Sequence, residues 1–344
     1  MSLKPVLLAA VASVVLAGAA AGHHSPAAYD LARPAVLEGV LAAIEWKNPH
    51  IYLILETPGP EGAPVRQQVE AGPISTLQPL GITRDTLKVG DRVAVLAAPH
   101  RAGAGRTVLG MELTTADGSV YPLGASPRVY AAPVSPFAEG LDATWLASVP
   151  SFAVYIQGMQ AWPLTEAGRA GVGVMLAAAG SAEDDCRPLP PPTPMLYPVV
   201  MTLEISEGEV VIRPDWLGLE RRIPLDVDHA DGVVPSLMGD SVGFLEGDVL
   251  IVDTVGFTPH PQGLSMVAPG GADKHLVERF ELAEDGRSLR YQAILEDPDF
   301  LSAPVTVVSD WAHRPDLTPT GEACDLEIAR RYREDRAGPP AAVD

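Results

Sequence analysis

Val36-Leu37-Glu38-Gly39-Val40-Leu41-Ala42-Ala43 and Ile51-Tyr52-Leu53-Ile54-Leu55 decide the fold class of this chain. In the first run, Val36, Glu38, Val40 and Ala42 alternate with Leu37, Gly39, Leu41 and Ala43, the period of two that puts successive side chains on opposite faces of a strand. The second run is rich in β-favouring residues. Between them Trp46-Lys47-Asn48-Pro49-His50 reads as a turn, because Pro49 biases Asn48 away from helix. His50 therefore emerges at the start of a strand. Working outward, Pro58 to Pro64 is a loop, Val65 to Ala71 a returning strand, and Ile74 to Leu80 a short helix. Gly90-Asp91 turns into the alternating valines of Arg92-Val93-Ala94-Val95, and Asp117-Gly118 separates strands over Arg106 to Thr114 and Val120 to Leu123. Together these predict a small β-barrel over residues 22–124.

Downstream, residues 125–140 are rich in Pro and Ala and read as a linker. Residues 141–335 form a second β-rich unit. Trp145 to Gln160 is apolar without a decisive period, whereas Pro163 to Ala170 opens like a helix with Thr165 as its cap. Pro188-Leu189-Pro190-Pro191-Pro192 is extended and cannot be helical. Strands follow over Val199 to Ile205, Glu209 to Pro214, Leu219 to Ile223, Val249 to Thr254, His275 to Leu282, Ser288 to Leu295 and Val305 to Trp311. Such spacing predicts a meander curved into a barrel or half-barrel, whose interior cavity would be a natural site for a small molecule. Residues 336–344 read as a disordered tail. The fold class is mainly β: a small N-terminal barrel, then a larger β-meander or half-barrel with a few short helices.

Residues 1–21 carry Lys4, an apolar run from Val6 to Leu16 and then small residues, the order of a secretory signal and too short for a stable span. The expectation is an exported, periplasmic protein with no membrane insertion after cleavage. A formal net charge of -20 among 344 residues opposes nucleic acid and anionic membrane surfaces. Oligomeric state is not readable. Cys186 and Cys324, the two cysteines, pair as a disulfide on the logic of an oxidising compartment.

Gly22-His23-His24-Ser25 follows the signal. A cut after Ala21 makes His24 the third residue, and a cut after Ala20 puts His23 there. In either register the amine, two amides and an imidazole could ring Cu(II) or Ni(II) in a plane. A cut after Gly22 puts His23 first, where amine and ring chelate together and one more imidazole completes a T-shaped copper site. His50 is the candidate for that third nitrogen, so His23, His24 and His50 form the metal candidate set, with copper as the cofactor. The competing reading is a polar mature start packed against the barrel.

Two resemblances attach to these motifs. His23-His24-Ser25, Trp46-Lys47-Asn48-Pro49-His50 and Thr83-Arg84-Asp85-Thr86-Leu87-Lys88-Val89-Gly90-Asp91 resemble an exported bacterial family of unknown function with an HHS start, a W-x-NPH turn and a TRD-x-L-x-x-GD segment. The resemblance implies export and a β-barrel, and no activity. Met238-Gly239-Asp240-Ser241 through Phe257 is similar to the MGHS-x-G-x-WEGD signature of a second uncharacterised exported group, as are Cys186-Arg187-Pro188 and Val277-Glu278-Arg279-Phe280. This chain has Asp240 where that pattern has His and Leu245 where it has Trp, so a chemistry resting on that histidine would be altered here.

The second unit offers His229, Asp231, Asp240, Glu246, Asp253, His260, His275, Glu278 and His313. His275 with Glu278, or His260 with Asp253, are the candidate catalytic pairs, since imidazole titrates near neutrality and a carboxylate can orient it. Ordinary turn and strand patterning explains the same residues without chemistry. No Walker, HExxH or CxxC motif is present, which removes the common nucleotide-binding and zinc-protease readings. Two readings remain: a periplasmic accessory protein binding copper or a small molecule, and an enzyme acting on a small apolar molecule in the second unit.

Overall fold

The computed structural model describes residues 28–59, 62–103, 107–124, 134–177 and 182–337. Alternating residues from Val36 onward build β1 (Ala35–Glu45), which pairs antiparallel with both β2 (Tyr52–Pro58) and β4 (Arg92–Ala98). β3 (Pro64–Glu70) pairs with β2, and β5 (Val108–Thr115) with β4. A parallel pairing of Val69 with Val108 joins β3 to β5 and closes five strands into a barrel. β6 (Val120–Pro122) extends β5, and the short helix α1 (Ile74–Leu77) lies where the sequence predicts one. Leu41, Leu53, Leu55, Val69, Val95 and Leu113 fill the interior.

The second unit is a nine-stranded sheet in the order β10-β9-β8-β7-β15-β14-β13-β12-β11. Its strands are β7 (Ala143–Ala147), β8 (Val200–Ser206), β9 (Glu209–Pro214), β10 (Arg221–Pro224), β11 (Asp240–Glu246), β12 (Val249–Val255), β13 (His275–Leu282), β14 (Ser288–Glu296) and β15 (Val305–His313). The end strands β10 and β11 meet at one bridge, Leu225 with Gly243, so the sheet is nearly a closed barrel. The ambiguous stretch after Trp145 resolves into the end of β7 and a helix, α2 (Val149–Gly158), capped by Ser148. Thr165 caps α3 (Glu166–Ala177) by accepting from the Gly168 N–H at 3.1 Å, as the sequence predicts. α4 (Thr193–Leu196) follows the proline segment.

The interior of this sheet is filled rather than hollow. Trp145, Trp311, Tyr291 and Phe280 are fully buried there, with Tyr291 stacked on Trp311 at 5.4 Å between ring centroids. Large aromatic side chains thus occupy space inside the curve where the sequence reading expects a small-molecule cavity.

Cys186 and Cys324 form the expected disulfide, with Cα atoms 5.7 Å apart. Directly after it comes α5 (Leu326–Ala337), a helix that the sequence reading does not anticipate. Asp325 caps it, its carboxylate accepting from the Glu327 and Ile328 N–H groups at 2.9 and 3.1 Å. The helix packs on the first barrel rather than on the sheet that precedes it. Lys47 donates to Asp325 at 2.7 Å, Arg331 bonds Glu45, and Tyr332 stacks on His50 at 3.8 Å. The Asn48 side chain ties the same turn on both sides, donating to the Glu322 carbonyl at 3.1 Å and accepting from the Ile74 N–H at 3.1 Å.

Candidate functional site

The turn before β2 delivers His50 to the end of the barrel, under α5. Its Nδ1 lies 3.1 Å from the Ala71 carbonyl oxygen, and because a carbonyl only accepts, Nδ1 carries the hydrogen. Glu70 sits behind it, Oε1 at 3.6 Å from the same nitrogen, and the Tyr29 hydroxyl donates to the other Glu70 oxygen at 2.7 Å. Tyr52 pairs across the strands with Glu70, and its fully buried hydroxyl has no partner among the described residues. Burial first, then the Glu70 charge, pushes that phenol far above its ordinary pKa. His23 and His24 lie outside the described residues. His100 is committed elsewhere, Nδ1 accepting from the Ala102 N–H at 3.0 Å and Nε2 donating to the Asp335 carbonyl at 2.9 Å. Among the described residues no group of three or more His, Cys, Asp or Glu is arranged to hold a metal.

In the second unit the strand period sorts the candidates. His275 and Glu278 stand three apart on β13, hence on opposite faces. His275 faces outward, whereas Glu278 is buried in the core, held by Arg221 at 2.8 and 2.5 Å and by the Tyr291 hydroxyl at 2.8 Å. The structure thus separates the pair that the sequence reading joins. His260 likewise does not pair with Asp253: it sits in a loop, accepts from the Gln262 N–H at 3.1 Å, and burial lowers its pKa. His313 points to the Pro136 carbonyl at 3.1 Å.

What converges instead is a chain of alternating carboxylates and imidazoles on the outer face. Asp253 of β12 bonds His275 Nε2 at 2.9 Å and His229 Nε2 at 3.0 Å, and His229 Nδ1 reaches Asp240 of β11 at 2.8 Å. Carboxylates accept at both His229 nitrogens, so this ring is an imidazolium. Burial alone would lower its pKa, but the two hydrogen-bonded carboxylates outweigh that and raise it. His275 differs: Nε2 donates to Asp253, and Nδ1 faces Glu296 at 3.6 Å, beyond hydrogen-bond distance. Asp253 therefore orients His275 with Nδ1 as its basic nitrogen. The pairing of His275 with Asp253 was within reach of the sequence, since both stand at outward positions of adjacent strands. His229 was not, because it comes from the irregular connection between β10 and β11.

Residues 10–109 match a family of unknown function (DUF6152). That stretch contains the HHS, W-x-NPH and TRD-x-L-x-x-GD motifs and ends at the second residue of β5. No curated protein and no solved structure matches the chain.

Proposed function

We propose that the chain is an exported accessory protein that binds copper at the end of its first barrel through His23, His24 and His50. The observation that carries this reading is the His50 ring. A backbone carbonyl accepts its Nδ1 hydrogen, with a carboxylate behind, which is the surrounding that fixes the tautomer of a metal-ligating imidazole and leaves the lone pair on Nε2. The Tyr52 hydroxyl, without a hydrogen-bond partner among the described residues, adds a buried polar atom on the residue that pairs with Glu70 across the strands. Chain length is compatible. His24 precedes Tyr29 by five residues, a reach of at most ~18 Å, and Tyr29 is bonded to the Glu70 that faces His50. The test is a Cu(II) titration of protein whose mature N-terminus has been established by mass spectrometry, beside the His23→Ala/His24→Ala and His50→Ala variants. Tight binding by the parent and at least tenfold weaker binding by both variants is expected; equal weak binding by all three would remove the reading.

A second reading rests on the Asp253-oriented His275. With Nδ1 as the basic nitrogen, the dyad supports acid–base chemistry on a small apolar molecule at the outer face of the sheet. Glu278 and His260 have no part in it. Turnover of a panel of small esters that disappears in His275→Ala and falls in Asp253→Asn would support it, and activity equal in all three proteins would reject it.

A further inference from the structure

The nine-stranded sheet does not close along its whole length. β10 and β11 run parallel and meet at Leu225 and Gly243, where the Asp226 N–H donates to the Gly243 carbonyl at 2.8 Å. From there they splay apart toward Glu220 and Met238, and a cavity of about 380 Å³ fills the wedge. Consecutive residues of both strands form its walls, 220–222 on one side and 238–242 on the other, so main chain as well as side chain lines it.

Strand alternation decides which backbone groups face the wedge. The Leu225 N–H donates to Gly208, so Ile223 and Arg221 also address β9, and the N–H and C=O of Arg222 turn the other way. On β11, Gly243 addresses β10, so Ser241 does as well. The Ser241 and Thr254 hydroxyls meet at 2.9 Å, as side chains do at the close, non-hydrogen-bonded positions of an antiparallel pair. Each wall thus presents one amide donor and one carbonyl acceptor to the gap.

The floor is charged but neutralised: Arg221 spans beneath the wedge, 3.5 Å from the Ser241 hydroxyl and paired with Glu278. Val227, Asp228 and Ala230, from the connection fastened by His229, form the remaining wall. A ligand of this site needs hydrogen-bonding groups on two opposite edges at strand spacing.

We infer that the wedge binds a short extended peptide segment as an added strand between β10 and β11, about three residues long, the span over which the two walls run beside it. An extended peptide directs alternate N–H and C=O groups to its two edges and so satisfies both walls at once. Rim side chains then select among sequences.

The experiment is an NMR titration of the ¹⁵N-labelled full chain with acetyl-Ala-Val-Ala-amide, and with the same peptide N-methylated at Val. Saturable shifts confined to the amides of Arg222, Ser241 and residues 226–239 are expected, and the N-methyl peptide should bind about tenfold more weakly for its lost hydrogen bond. Arg222→Pro, which removes a wedge-facing donor and leaves the β9 ladder intact, should weaken the parent peptide similarly once far-UV circular dichroism shows the fold retained. Absence of saturation, or equal binding of the two peptides, would overturn the proposal.

Discussion

The Arg221 guanidinium and the Glu278 carboxylate form a two-point ion pair in the core of the nine-stranded sheet, their side chains 2% and 0% exposed. Both charges have lost their hydration there, which offsets most of their attraction, so the pair is worth little net but is costly to break. Glu278→Leu should destabilise the protein by about 3–5 kcal/mol, because it strands the buried guanidinium. Arg221→Met/Glu278→Leu should recover most of that loss. Urea unfolding of the three proteins checks it, the double variant being less damaged than the single.

His229 couples stability to pH. Its pKa is raised in the folded protein by Asp240 on β11 and Asp253 on β12, with His275 beyond Asp253. A raised pKa means that the folded state holds the proton more tightly than the unfolded chain. The stabilisation is therefore fully present below the unfolded value near 6.5 and is lost as pH rises through the higher folded value. The advantage of the parent over His229→Gln should shrink steadily from about pH 6 upward, measured by denaturant unfolding at stepped pH. A gap that widens with pH would contradict this.

Removing the disulfide should cost more than a typical crosslink in a small loop. The cysteines are 138 residues apart, so the bond restricts a long unfolded segment. Cys186→Ser/Cys324→Ser is expected to lose about 2–5 kcal/mol, seen by calorimetry as a lower unfolding temperature under non-reducing conditions.

Gly239→Ala tests the turn into β11. Gly239 has φ +74°, and a Cβ there would sit 2.6 Å from Thr254 Cγ2 and 2.8 Å from the Val255 carbonyl oxygen. Both the left-handed backbone and the contact oppose a side chain, so a loss of about 1–3 kcal/mol is expected. Gly208→Ala, at φ +98° with open space around its Cβ position, should lose less. Equal losses would mean that backbone conformation alone sets the cost.

Strands of the first barrel were legible where one face is buried and the alternation is strong, as in β4, whose Val93, Val95 and Ala97 are buried between half-buried Ala94 and Leu96. The Thr165 cap and the disulfide were legible for equally local or compositional reasons. The wedge was not, since it arises from where the two ends of a nine-stranded sheet meet, and no single segment encodes that meeting. The filled interior escaped for a related reason: Trp145, Tyr291 and Trp311 are far apart in sequence and their stacking depends on registers across several strands. α5 was hidden by its charge. Ile328, Ala329 and Tyr332 form a narrow apolar stripe among arginines and acids, which reads as a solvated segment until the barrel surface is supplied as its partner.

The docking of α5 also sets an order of events. Lys47 waits for Asp325, 278 residues later, and His50 for Tyr332. A chain emerging N-terminus first can pair β1 with β2 early, yet the face carrying His50 and Tyr52 stays bare until the last turns of the polypeptide arrive. Closing so long a loop costs little more than closing one half its length, but it must be closed late. Maturation of the first barrel is thus a full-length event: a chain truncated before Asp325 would retain the strands of that barrel and lack its cover.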